Sequence, residues 1–144
     1  MDLETAKQFL ADCRELLGFL VSEYGFCQPV LSADESTITV SFFGRTLALE
    51  CVLDERERWV DFKVALLRDG KTPEEYAVTP EGERVRDHVT QVLLRKGVRG
   101  FDFKKVEDSA DIRVIWRQLL TNYANLLTTS GQSILREDPS LFGS

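Results

Sequence analysis

The chain has 144 residues, 43% of them hydrophobic and 29% charged, and its 18 Lys+Arg against 24 Asp+Glu leave a formal net charge of -6. That length suits one domain whose core buries roughly 68% of the unfolded surface without a staple. The acid excess argues against a general nucleic-acid binder and against attachment to anionic membranes.

Residues 3–24 carry the strongest helical period. Leu3, Ala6, Leu10, Cys13, Leu17, Leu20 and Tyr24 recur every three or four positions, and Phe9, Leu16 and Phe19 widen the stripe. Asp2 is placed to cap this helix, and Gly25 to end it in a left-handed conformation. Residues 27–31 suit an edge strand, because Pro29 has no donor for a ladder. The period then becomes two. Ile38, Val40 and Phe42 alternate with Thr37, Thr39 and Ser41, and Gly44 allows a turn. Leu47, Leu49, Cys51 and Leu53 alternate with Ala48, Glu50 and Val52. The charged run Asp54-Glu55-Arg56-Glu57-Arg58 reads as a solvated hairpin loop. A third alternation follows through Val60, Phe62, Val64 and Leu66, ended by Asp69-Gly70. Short turns between these strands make an antiparallel meander. One face is consistently apolar; the other mixes Thr37, Thr39, Ser41, Glu50, Asp61 and Lys63 with Phe43, Val52, Trp59 and Leu67.

From 70 to 82, Gly70, Pro73, Pro80 and Gly82 mark a loop. A helix is expected over 83–96 and ended by Gly97, with His88 off its stripe of Val85, Val89, Val92 and Leu93. After an irregular stretch over 98–107, Asp108 or Ser109 is expected to cap a long helix to about residue 128. Its stripe is Ile112, Ile115, Trp116, Leu119, Leu120, Tyr123, Leu126 and Leu127. Ser130-Gly131 breaks it, Ile134 and Leu135 form a last turn, and Asp138-Pro139 opens a short turn ending at Leu141-Phe142. Strands in a run, rather than alternating with helices, give an α+β class. The expected architecture is one domain over 1–144. It has an N-terminal helix, a three- or four-stranded antiparallel meander, then two or three C-terminal helices packed on one sheet face.

No apolar run approaches the roughly 18 residues of a membrane helix. The start, Met1-Asp2-Leu3-Glu4, has acids where a secretory leader carries Lys or Arg, and Asp2 stands where myristoylation needs glycine. No Cys-a-a-X end is present, and a cytoplasmic protein is expected. The three cysteines, Cys13, Cys27 and Cys51, fit no zinc or redox spacing, and Cys13 and Cys51 read as small core hydrophobes. The one histidine, His88, excludes a two-His metal site and leaves a single candidate for a Ser-His-Asp or Cys-His set. Neither GxxxxGK[ST], GxGxxG nor GxSxG occurs. No enzyme, metal or cofactor is expected.

Two charged segments stand out. In the first, Glu50, Asp54, Glu55, Glu57 and Asp61 accompany Arg56, Arg58 and Trp59. Acid around an exposed aromatic is a recognition surface for a basic protein, since charge steers association and the ring anchors it. The alternative is a solvated hairpin tip. Glu50 and Asp61 are expected to be cross-strand neighbours if the loop sets that register, with Lys63 an equal candidate to pair with Glu50. In the second segment, Arg95, Lys96, Arg99, Lys104 and Lys105 surround Phe101 and Phe103. Bases interleaved with aromatics bind single-stranded nucleic acid. The alternative is a helix end with favourable cations, then a loop whose two Phe dock into the core. Residues 1–82 hold 16 acids and 8 bases, whereas residues 83–144 hold 8 acids and 10 bases. The overall charge thus averages an acidic helix-and-sheet half with a slightly basic helical half.

Three stretches together resemble a known group. They are a helix ending Phe19-Leu20-Val21-Ser22-Glu23-Tyr24-Gly25-Phe26, the alternation through Ile38–Phe42 with Leu49-Glu50-Cys51-Val52-Leu53-Asp54-Glu55-Arg56 and Val60-Asp61-Phe62-Lys63-Val64, and a late helix leading to Ile134-Leu135-Arg136-Glu137-Asp138-Pro139-Ser140-Leu141-Phe142. The chain resembles a broad group of small uncharacterised bacterial α+β proteins, some of them similar to immunity proteins that neutralise contact-dependent toxins. Glu137 stands where that group often has Gly. The resemblance supplies no catalytic residues and implies a binding protein. The expected function is a cytosolic protein-binding module, an immunity-like inhibitor of a basic partner. Self-association into a homodimer through the mixed sheet face is one alternative. A small-ligand carrier or enzyme with a pocket between helices and sheet is another.

Overall fold

Asp2 opens the first helix, its carboxylate accepting from the Glu4 amide at 3.0 Å. In the computed structural model, which describes residues 2–68, 70–72 and 85–142, the apolar period of residues 3–24 is split between two helices. These are α1, Leu3–Leu16, and α2, Phe19–Tyr24. The break falls at Leu17-Gly18. A Cβ at Gly18 would lie 2.5 Å from the Arg14 carbonyl oxygen, so only glycine lets the chain re-aim there. The turn buries Leu17 and Leu20 together. Gly25 ends α2 with φ 78, as its position predicts.

Five strands follow in an antiparallel sheet of order β1-β2-β3-β4-β5. They are β1 (Val30–Ala33), β2 (Thr37–Phe43), β3 (Leu47–Asp54), β4 (Trp59–Leu66) and β5 (Arg86–His88). The edge strand β1 starts three residues later than residues 27–31 suggest, immediately after Pro29. The fifth strand lies where the sequence predicts the start of a helix. Helix α3 is confined to Val89–Arg95, with His88 as its N-cap residue. Two forces outweigh the helical period there. The Leu66 amide bonds to the Val85 carbonyl at 2.7 Å, and β4 takes Arg86–His88 as its outer partner. The loop expected over 70–82 lies, from residue 73 on, outside the described residues.

The long helix α4, Ile112–Ser130, is capped by Asp111 rather than Asp108 or Ser109. Those two are spent earlier: the Asp108 carboxylate accepts from the Ser109 amide, and the Ser109 hydroxyl accepts from the Asp111 amide. Helix α5 (Gln132–Leu135) and a 3₁₀ turn (Pro139–Leu141) close the chain, the turn capped by Asp138. The core is the apolar sheet face, with Ile38, Val40, Phe42, Leu49, Cys51, Leu53, Phe62 and Val64, under Phe9, Cys13, Trp116, Leu120 and Leu127 of α1 and α4. Burial pushes the Cys13 thiol up, and the neighbouring Cys51 thiol adds to this, so it stays protonated and inert as a core hydrophobe.

Glu137 has φ 53, the left-handed region that favours glycine. Its carboxylate accepts from the amides of Thr46 at 2.8 Å and Leu47 at 2.9 Å, closing the β2–β3 turn from the far end of the chain. The side chain thus returns what the backbone loses. Glu137→Ala keeps the strain and removes the cap. Glu137→Gly removes both. The glycine variant is therefore expected to be the more stable of the two by about 1 kcal/mol, measured by urea unfolding. An alanine variant at least as stable would show that the left-handed backbone at this position carries no measurable strain.

Candidate functional site: the acidic hairpin and an aromatic cleft

The β3–β4 hairpin is built by its own acid. The Asp54 carboxylate accepts from the Arg56 amide at 2.9 Å and the Glu57 amide at 3.2 Å, a local turn typical of aspartate. Arg58 turns the chain with φ 54, and its guanidinium donates to the Ser109 carbonyl. That bond ties the hairpin to the stretch before α4. Trp59 follows, 44% exposed. Glu57 is exposed, while Asp54, Glu55 and Asp61 are half-buried. One Glu55 carboxylate oxygen is covered and has no hydrogen-bond partner among the described residues.

The register separates the predicted acids. Glu50 lies opposite Lys63, and Asp61 opposite Val52, so Glu50 and Asp61 are diagonal and not direct neighbours. Glu50 is also not on an exposed surface. It is only 7% exposed, and Arg86 of β5 reaches across β4 to bind it with two nitrogens, at 2.8 and 3.3 Å. Alanine at position 65, the register partner of Arg86, leaves the space for that reach. Ser41, Glu50, Lys63 and His88 form one row across the open sheet face. This face makes a wide groove of about 670 Å³, with Thr39, Val52, Asp61 and Lys63 on its lining.

A smaller cleft opens beside the hairpin, where β5 stops short and the first half of β4 is paired with β3 alone. Here the Tyr123 hydroxyl of α4 donates to the Val60 carbonyl. The cleft holds about 220 Å³ between Trp59, Asp61, Phe62, His88, Phe103 and Tyr123. Tyr123 stacks on Phe62 at 4.9 Å, and Phe103 meets Tyr123 edge-on at 6.1 Å. Burial, then the Asp61 carboxylate, push the Tyr123 phenol above its ordinary range. Asp61 makes no ion pair among the described residues. The sequence does not show that Phe103, Tyr123 and His88 would join Trp59 and Asp61. The pairing of β4 with a strand at Arg86–His88 creates that meeting, and the helical period hides the strand.

Of the five bases of the second segment, Arg95 and Arg99 are engaged within the fold. Arg95 pairs with Asp87 at 2.7 Å, and the Arg99 guanidinium donates to the carbonyls of Leu94 and Val98. Asn122 clamps the backbone of Lys104 on both sides, at 3.0 and 2.9 Å. Phe101 packs at the margin of the core, and Phe103 is 41% exposed against Tyr123. Lys96, Lys104 and Lys105 are exposed. Their surroundings offer one partly exposed ring, not the row of aromatic faces on which successive bases stack.

No helix among the described residues is long and apolar enough to cross a membrane. Among the described residues, no group of three or more His, Cys, Asp or Glu is placed to hold a metal ion. Compared with protein-family models, curated proteins and solved structures, the chain matches none.

Proposed function

We propose that the chain is a cytoplasmic protein-binding module that recognises a basic protein through the end of its β3–β4 hairpin, in the manner of an immunity-like inhibitor. What carries this reading is Trp59: a large aromatic, 44% exposed, in a hairpin fixed at both ends and flanked by Asp54, Glu55, Glu57 and Asp61. A rigid ring loses little entropy on docking, and acids around it speed the encounter with a positive surface. Glu50 is withdrawn from this surface by Arg86 and serves the fold instead. Inhibition would follow from steric cover of the partner's basic working surface.

Affinity capture from the native host tests this. One stoichiometric protein of basic pI is expected, with retention that falls as salt screens the encounter. The combined variant Trp59→Ala, Glu55→Ala and Glu57→Ala should abolish it. These three side chains form no hydrogen bond or ion pair within the described fold, so the variant should remain folded. Undiminished capture by the triple variant would place the interface elsewhere.

A further inference from the structure

We infer that the cleft beside Trp59 is a receptor for one arginine side chain of the partner, its guanidinium held between aromatic walls and the Asp61 carboxylate. This rests on the protein-binding reading above and names the group that reading would recognise. The volume decides the scale of the occupant. At about 220 Å³ the cleft lies under the roughly 300 Å³ where pockets for cofactors and larger ligands begin, so it suits a single side chain. The walls decide its chemistry. Trp59 and Phe103 line it with partly exposed rings above the buried Tyr123, and the faces of aromatic rings attract cations. Tyr123 cannot offer its hydroxyl, which is committed to Val60, so its ring is held in place.

Charge points the same way. Asp61 lines the cleft with no ion pair among the described residues, and of the nearby cations Lys63 stands opposite Glu50 while the arginines are bound elsewhere. Arg86 is bound to Glu50, Arg58 to the Ser109 carbonyl, and Arg95 to Asp87. An incoming cation therefore meets a carboxylate that no described side chain holds in an ion pair. Arginine fits better than lysine, because a planar guanidinium stacks on rings and pairs with a carboxylate through two donors at once.

The two tryptophans make the test direct. Trp116 is buried and its indole N–H donates to Asp12 at 2.7 Å, so its resonance reports an intact fold. Trp59 reports the cleft. The full chain, labelled with ¹⁵N, would be titrated with N-acetyl-arginine amide to roughly 100 mM, and separately with the neutral citrulline analogue at matched ionic strength. The Trp59 indole signal should move to saturation with the arginine probe, at least about tenfold more tightly than with citrulline. Asp61→Asn should weaken the arginine response by a similar factor with the Trp116 signal unmoved. Equal responses to arginine and citrulline, no saturable response, or an unchanged response in Asp61→Asn would each overturn the inference. Its fate is separable from that of the broader reading. Capture of a partner that survives Asp61→Asn overturns the arginine receptor alone. A saturable arginine response with no partner captured supports the cleft and overturns the protein-binding reading.

Discussion

Asp12→Ala should lower the stability of the fold by about 3 kcal/mol, a large share of the roughly 5–15 kcal/mol that holds a domain together. Asp12 is 2% exposed on α1, yet it is charged and meets four donors from α4. Arg113 binds both oxygens at 2.9 Å, the Trp116 indole N–H binds one at 2.7 Å, and Arg117 binds the other at 2.6 Å. Arg117 also reaches the exposed Glu15 on the next turn of α1. The two arginines are partly exposed and regain water when the carboxylate goes, which keeps the loss from being larger. The indole N–H is buried and cannot, so it bears the full cost of a missing acceptor. Burial pushes the Asp12 carboxyl up. The hydrogen bonds from Arg113 and Trp116, with the charges of both arginines, outweigh burial and hold it below its ordinary range. Stability from this group is therefore fully present above the unfolded-state value of about 3.9 and is lost as pH falls through the lower folded value. Urea unfolding of wild type and Asp12→Asn at several pH values reads this directly. The gap between them should be widest near neutral pH and close in acid. A constant gap would mean that the amide's shape, and not the lost charge, is responsible.

Arg86→Ala is the second large effect, and it should cost more than Glu50→Gln. The pair is nearly closed off, with 15% of the Arg86 side chain and 9% of the Glu50 side chain exposed. Removing the arginine leaves a carboxylate in a poorly solvated place, at about 3 kcal/mol. Lys63 lies opposite Glu50 in the register and bears the replacement charge, so the loss should stay at the low end of that scale. Glu50→Gln leaves an acceptor for Arg86 and should cost about half as much. Arg86→Met with Glu50→Leu replaces both charges by apolar side chains and should come within about 1 kcal/mol of wild type. Chemical unfolding of the wild type and these three variants reads the differences directly. A double variant as unstable as Arg86→Ala would show that the pair contributes to stability beyond compensating its own burial.

Much of the fold was legible because period is a strong physical signal. The alternation of Ile38, Val40 and Phe42, of Leu49, Cys51 and Leu53, and of Val60, Phe62 and Val64 announces three paired strands, and all three are central in the sheet. Caps were legible where a side chain serves only its own neighbours, as at Asp2, Gly25 and Asp138. What escaped was decided at long range. Helical spacing of Val85, Val89 and Val92 is real, yet β4 has an edge to satisfy, and three residues of ladder outweigh one turn of helix. The cap of α4 moved to Asp111 because Asp108 and Ser109 had turns of their own to make. The site divides in the same way. Trp59 and its acids are contiguous in sequence and could be read there. Phe103 and Tyr123 enter the cleft from elements some 40 and 60 residues away, through packing that no local pattern encodes. Glu50 looked exposed because its strand alternates, and only Arg86, 36 residues on, covers it.

The ends of the sheet carry a consequence for life in a crowded solution. A strand edge is a template on which a second chain can extend the ladder, the first step of fibre growth. Among the described residues both templates are short. On one side β1 offers four residues directly after a proline, too few to offset the entropy of ordering an incoming strand. On the other, β5 offers three residues before the chain coils away into α3, and the Val60 carbonyl of β4, beyond the β5 pairing, accepts from the Tyr123 hydroxyl. Among the described residues, neither edge offers a second copy a long ladder to extend. The phenol that anchors the cleft is also a stopper, which gives position 123 a reason to remain tyrosine that is independent of any ligand.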